Sequence, residues 1–202
     1  MEARDLRAGG SAPLNLRLPP GQLVLLTATR TPDTGELLAA LAGLQPLQQG
    51  SLWLHEQRVD GLPPDQRRRR GLVLVPAQPP VLPGLSVQDN LRAAGCHLPA
   101  AALSQALQRS AQWWPELQAC RQQRAGTLSG GQRRLLALAQ GLVASPRWLL
   151  LDEPTQALAP ALAQRLVQRL GELRQHGLAV LVADAQALWW QPVADQVVVL
   201  DG

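Results

Sequence analysis

Leu128-Ser129-Gly130-Gly131-Gln132-Arg133-Arg134 leads into the apolar run Leu135-Leu136-Ala137-Leu138-Ala139, and about twenty residues past Ser129 the chain reads Trp148-Leu149-Leu150-Leu151-Asp152-Glu153-Pro154. A serine ahead of two glycines and a helically spaced apolar stretch predicts a helix over 131–144 capped by Ser129. The unpaired amides and positive dipole end of such a helix favour phosphate, and glycine lets the backbone come close to an anion. A continuous apolar strand that ends in two acids places Asp152 and Glu153 at the carboxyl edge of a sheet, the ligand crevice of open α/β folds.

Working outward from that stretch, Val24-Leu25-Leu26 after Pro20-Gly21 reads as a strand, and Leu37 to Leu44 as a helix that closes at Gly43. Ser51 to Leu54 and Gly71 to Val75 read as further strands, with a polar loop and helix over 62–70 between them. From Val87 to about Ala125 the pattern is helical, punctuated by Pro99 and Pro115. A helix over 160–176 ended by Gly177, a strand over 178–183 and a last strand over 197–200 complete the chain. Helices alternating with continuous apolar strands imply an α/β fold with a mainly parallel sheet. The expected organisation is one domain over 1–202, with a helical subdomain inserted at about 87–126.

Composition narrows the class. The 202 residues, 46% of them apolar, suffice for one core. All nineteen basic residues are Arg, so the net charge of +4 names no partner. The run Arg67-Arg68-Arg69-Arg70 lacks interleaved aromatics and is read as a solvated helix end, with no nucleic-acid partner expected. Cys96 and Cys120 stand far apart with no His at ligand spacing, so no metal site or disulfide is expected. Trp113-Trp114 and Trp189-Trp190 are read as core or contact residues. No apolar stretch approaches the length of a membrane span and the first residues lack the core of a signal peptide, so a cytoplasmic location is expected.

The full pentapeptide 128–132 at this distance from Asp152-Glu153-Pro154 resembles the ATP-binding subunits of ABC transporters, and the resemblance covers nearly the whole chain. It implies a P-loop NTPase-like sheet with the helical insert. It makes Leu128, Ser129, Gly130, Gly131 and Gln132 the signature loop that closes on ATP held by another subunit, Asp152 the Walker B acid near Mg²⁺, and Glu153 the base that polarises the attacking water. The segments 76–91 and 157–160 look most like the branched-chain amino-acid uptake subgroup.

Other positions depart from the family pattern. Registering Leu37-Leu38 and Ala42-Gly43 on the helix puts 28–36 in the phosphate loop, where none of GxxGxGK[ST] is matched. The chain contains no lysine; Thr34 takes the lysine position and Gly35 that of the Mg²⁺-binding hydroxyl. Asp33 and Glu36 add negative charge, Pro32 removes an amide donor, and Arg30 alone does not replace a nest of amides. The Gln-loop position falls at Ala77, beside Gln78, and the switch position that usually carries His falls at Asp184. The segment 6–18 reads as shorter than the family's two-strand start, without an aromatic to stack on adenine, and both ends read as trimmed.

The resemblance thus implies a degenerate subunit. It would bind ATP and Mg²⁺ weakly or not at all in its own site, and lend its signature loop to an intact partner in a heterodimer. That pair would drive a transmembrane permease from the inner face of the membrane, with 82–91 and the helical insert as coupling surface. A scaffold protein built on the same fold, with Asp152 and Glu153 as relics, and an active homodimeric ATPase are the alternatives.

Overall fold

The computed structural model describes residues 1–8, 13–28, 31–78 and 80–200, with the backbone alone at 28 and 31–33. Five strands form a parallel sheet: β3 (Leu23–Ala28), β6 (Leu72–Val75), β7 (Trp148–Asp152), β8 (Ala179–Ala183) and β9 (Gln196–Leu200), in the order β6-β7-β8-β3-β9. Every ladder in it is parallel, with Leu151 opposite Val75 and Val182.

Because side chains alternate along a strand, β3, β6, β7 and β8 each feed two cores, while the edge strand β9 leaves Val197 and Val199 exposed. Leu23, Leu25, Val73, Val75, Leu149, Leu151, Val180 and Val182 face α6 (Gly130–Val143) and α7 (Pro160–Arg174). Val24, Leu26, Leu72, Leu150, Ala179 and Leu181 face α1 (Thr31–Ala42) and a second sheet. Strands buried on both faces are continuous apolar runs, which is why they are legible in the sequence.

The second sheet is antiparallel, in the order β2-β1-β4-β5, from β1 (Glu2–Arg7), β2 (Leu14–Arg17), β4 (Gln49–Leu54) and β5 (Gln57–Arg58). Here the expectation for 6–18 is corrected: a two-strand start is present, with Ala3 opposite Leu16 and Leu52. Its strands alternate, Ala3, Leu6, Leu14 and Leu16 inward and Arg4, Arg7, Asn15 and Arg17 outward, a half-buried pattern in which short runs carry few apolar residues.

The arginine run is corrected too. It lies on α2 (Pro64–Arg69), and Arg67 is 3% exposed. Its guanidinium donates to the carbonyls of Leu62 (2.9 Å), Asp60 (2.6 Å), Ala40 (2.8 Å) and Leu41 (2.8 Å). The last two belong to the final turn of α1, whose carbonyls lack helical partners, so Arg67 caps a neighbouring helix. Between β6 and α6 the chain is helical in α3 (Val87–Ala94), α4 (Ala100–Trp113) and α5 (Pro115–Ala119), followed by a short 3₁₀ turn (Ala125–Thr127). Trp114 and Trp190 are fully buried.

Candidate functional site

The signature helix begins as the sequence requires. Ser129 is the N-cap of α6: its Oγ accepts from the Gln132 amide (3.2 Å), and the Ser129 amide donates to Gln132 Oε1 (2.9 Å). This reciprocal box occupies two of the first amides. The amides of Gly130 and Gly131 lie in the first turn, where no helical acceptor exists, and the Ser129 hydroxyl keeps its proton to donate. Leu128 is buried beneath the loop, while Ser129 and Gly130 are exposed. Nothing lies within 4 Å of a Cβ built on Gly130, whereas one on Gly131 would sit 2.9 Å from the Ala157 carbonyl oxygen.

Arg134, one turn further on, is buried and points across to the sheet edge. It donates to the carbonyls of Pro76 (2.5 Å) and Ala77 (3.1 Å) and to that of Asp152. Sequence reasoning quotes Arg134 in the motif and assigns it nothing; a lone cation entering an apolar helical run was the available clue.

At the carboxyl edge, Asp152 ends β7 and its Oδ2 accepts from the Ala77 amide (3.2 Å). The same oxygen lies 3.2 Å from a Cβ built on Gly35. Glu153 has a left-handed backbone (φ 47°), and its amide donates to Ala183 O (2.7 Å). Its two carboxylate oxygens accept from the Ala185 amide at 3.1 and 3.2 Å. Burial holds both acids above the usual carboxylate range; the Ala77 and Ala185 amides pull the other way, and Asp184 adds repulsion to each.

Asp184, 5% exposed, ends four hydrogen bonds. Oδ2 accepts from the Thr155 amide (3.2 Å), the Thr155 hydroxyl (2.7 Å) and Trp190 Nε1 (3.0 Å), and Oδ1 from the Gln186 amide (2.8 Å). Thr155 and Trp190 are the partners that sequence reasoning missed. Gln78 is exposed.

On the phosphate-loop side, β3 ends at Ala28 and α1 begins at Thr31, so residues 29 and 30 alone separate them. The sequence register places 28–36 in a loop; the helix instead starts at Thr31 and takes in Thr34, Gly35 and Glu36. Arg30 lies outside the described residues, as does the side chain of Asp33. Thr34 is buried. Together with Leu26, Thr27, Glu153, Asp184, Ala185 and Ala187 it lines a cleft of about 200 Å³. Among the described residues no group of three His, Cys, Asp or Glu could hold a metal ion.

A family model described as ABC transporter matches residues 13–156. The chain belongs to the ABC transporter family. Among its relatives, the high-affinity branched-chain amino acid transport ATP-binding protein BraG of Pseudomonas aeruginosa is 29% identical over 188 residues, 93% of this chain and 81% of that protein. The probable branched-chain amino acid transport ATP-binding protein LivF of Archaeoglobus fulgidus is 34% identical over 138 residues, 68% of this chain and 58% of that one. These put the ABC chain nearest the branched-chain subgroup. Solved structures agree on the fold. An ATP-binding subunit of an ABC transporter superposes with a TM-score of 0.88 at 20% identity, over 98% of this chain and 85% of that one. A dimeric bacterial ABC transporter cassette gives 0.87 at 17% identity, over 99% and 94%. This ABC ATP-binding chain is thus an α/β cassette of the P-loop NTPase type.

Proposed function

We propose that this ABC cassette is a degenerate subunit: it does not hold Mg-ATP in its own site and lends Ser129, Gly130, Gly131 and Gln132 to the ATP site of an intact partner cassette. The observation that carries this reading is the cleft between β3 and β8. Among the described residues its lining brings two carboxylates, Glu153 and Asp184, and no cation. A triphosphate there meets repulsion that none of these described lining residues neutralises.

The rest of the site agrees. A phosphate cradle is built from successive amides of a loop plus a lysine; this chain has no lysine and only two residues between β3 and α1. Position 35 offers a hydrogen where the family's hydroxyl would meet Mg²⁺, and the nearest group there is the Asp152 carboxylate. Both acids already accept backbone amides. The residues present do not fit Mg-triphosphate, and no hydrolytic step is assigned to this site.

The signature loop is in the opposite condition. Ser129 and Gly130 are exposed, the Gly130 and Gly131 amides lie outside the capping box and the Ser129 proton is available, which suits a γ-phosphate approaching from another chain. The capping box by itself serves a scaffold equally well, since it is what any well-capped helix has.

Coupling to a permease is read from the 82–91 segment. Leu82 and Leu85 are 48% and 40% exposed. The buried Asn90 fixes their loop, donating to the carbonyls of Leu82 (3.0 Å) and Ser86 (2.9 Å) and accepting from the Leu82 amide (2.8 Å). Leu82, with Pro80, Ala94, Gly141 and Arg68, lines a mainly apolar groove of about 420 Å³, the kind of surface on which an apolar helix face from a membrane partner docks. Among the described residues no helix is long and apolar enough to cross a membrane, so such a partner would supply the span and hold this subunit at the inner face.

Calorimetric titration of the isolated chain with Mg-ATP tests the proposal. No saturable heat in the micromolar range is expected. A micromolar dissociation constant, about 8 kcal/mol of binding, would overturn the claim of an empty-handed site.

A further inference from the structure

We infer that Asp184 is a positioning residue that clasps the turn after β7 and, through it, fixes the signature loop without help from nucleotide. The inference rests on the reading of this subunit as a donor of its signature loop and adds how that loop is held.

The clasp is reciprocal. From the β7 side, Glu153 reaches the segment after β8: its carboxylate accepts the Ala185 amide and its amide meets Ala183 O. From the β8 side, Asp184 reaches back to the turn after β7, accepting both the amide and the hydroxyl of Thr155. Trp190 Nε1 and the Gln186 amide complete the four donors around Asp184, so both oxygens of the buried carboxyl group are hydrogen-bonded. Thr155, Asp184 and Trp190 are each 5% exposed or less.

The clasped turn bears on the signature helix. Thr155 O accepts from the Leu158 amide (3.1 Å) and Glu153 O from the Gln156 amide (3.1 Å), which closes the turn around Ala157 in a left-handed conformation (φ 63°). The Ala157 carbonyl is thereby turned onto Gly131, so close that a methyl group there would lie 2.9 Å from it. The chain of contact is Asp184, Thr155, Ala157, Gly131. Each link is a carboxylate, a fixed turn or a backbone approach that needs no phosphate to form. Asparagine at 184 cannot reproduce it, because its amide group must face donors on one side or the other.

The test is amide exchange followed by NMR on the full chain, wild type against Asp184→Asn, with Thr155→Val as a milder second variant that removes one bond and keeps the shape. Exchange at Thr155, Leu158, Gln132 and Arg133 is expected to rise at least tenfold in Asp184→Asn and less in Thr155→Val, with Leu150 in the core strand unchanged. Unchanged Gln132 and Arg133, or a uniform rise that includes Leu150, would overturn the inference: the first means the clasp does not reach the signature loop, the second that Asp184 merely stabilises the fold. In a purified complex with an intact cassette and permease, Asp184→Asn should also lower kcat for ATP about tenfold while KM holds, as misplacement of a positioning group does. A kcat equal to wild type, in a complex that Gly130→Asp does slow, would overturn it as well. Gly130→Asp in the same complex reports separately on whether the signature loop is used at all. If that variant hydrolyses ATP normally, the donor reading fails, while the exchange pattern still decides the clasp.

Discussion

Gly130 and Gly131 are adjacent in the signature loop and should respond to substitution in opposite ways. A side chain at Gly130 enters open space, since no atom lies within 4 Å of its Cβ position. Aspartate there stands in the first turn of α6, where a negative charge interacts favourably with the dipole by about 0.3–1 kcal/mol. Removing glycine's freedom from the unfolded chain adds about 0.4–1 kcal/mol. The sum, about 0.7–2 kcal/mol, corresponds to a melting point about 1–8 °C higher for a chain of this size. Gly131→Ala instead drives a methyl to 2.9 Å from the Ala157 carbonyl, an overpacking worth about 1–3 kcal/mol of destabilisation. The functional outcome of Gly130→Asp runs against its stability. In the proposed heterodimer a carboxylate would face the γ-phosphate of the partner's site, and a like charge that keeps the phosphate from its positioned donors should cost about 10²-fold or more in rate, as loss of such a donor does. Scanning calorimetry and the ATPase rate of the assembled complex, checked by size-exclusion chromatography, measure both. A lower melting point for Gly130→Asp would refute the packing argument, and unchanged hydrolysis in an intact complex would leave the signature loop without a role.

Glu153→Gln should raise stability at neutral pH and leave the complex's ATPase rate nearly intact, the rate measured with the partner's own acid in place. The sign follows from burial, which raises the folded-state pKa of Glu153: ionisation opposes folding above that value, and the opposition fades as pH falls through it toward the ordinary carboxylate range. The advantage of Gln over Glu in denaturant midpoint should therefore shrink between neutral pH and pH 4; a constant advantage contradicts the assignment. Arg67→Met removes four hydrogen bonds and leaves the Leu41 carbonyl buried without its donor, at about 1–3 kcal/mol, while the Ala40 carbonyl keeps the Gly43 amide (3.0 Å). Urea unfolding should show a loss of about 1–3 kcal/mol, and no measurable loss would mean that the guanidinium caps nothing.

The parallel sheet was legible because β3, β6, β7 and β8 are buried on both faces and so appear as unbroken apolar runs, as in Leu149-Leu150-Leu151 or Val180-Leu181-Val182; the edge strand β9 is also an apolar run, although Val197 and Val199 are exposed. The antiparallel sheet was not, because Glu2–Arg7 and Leu14–Arg17 alternate over too few residues to separate a strand from a loop. Arg67 misled for a related reason: four consecutive arginines spread around a helix, and which of them turns inward depends on where the end of α1 lies, a tertiary fact. At the site, Ser129 and its capping box could be read locally. The start of α1 could not, since Thr31-Pro32-Asp33-Thr34 suits the first turn of a helix as well as it suits a loop, and the family register drew it into the loop. Asp184 was placed by position, but its four donors come from Thr155, Gln186 and Trp190, whose approach no spacing rule states.

The two halves of the site differ in what else they hold up. Thr34, Gly35 and Glu36 contribute no side chain to either hydrophobic core, so changes at the start of α1 cost the core little. The signature helix has no such freedom: Leu135, Leu136, Leu138 and Ala139 are core residues against the parallel sheet. Arg134 fixes the helix to two strand ends at once, through Pro76 and Ala77 after β6 and Asp152 at the end of β7. A chain can therefore shed its phosphate cradle and still fold, while the start of α6 keeps its place because the core demands it. By the same reasoning, the presence of the pentapeptide cannot alone establish that it is used. What separates use from mere retention is exposure: Arg134 and Leu128 explain why the helix stands where it does, but no contact within this chain requires Gly130 to be bare. That residue, free of neighbours and facing outward, is the place where a requirement imposed by another subunit would be read.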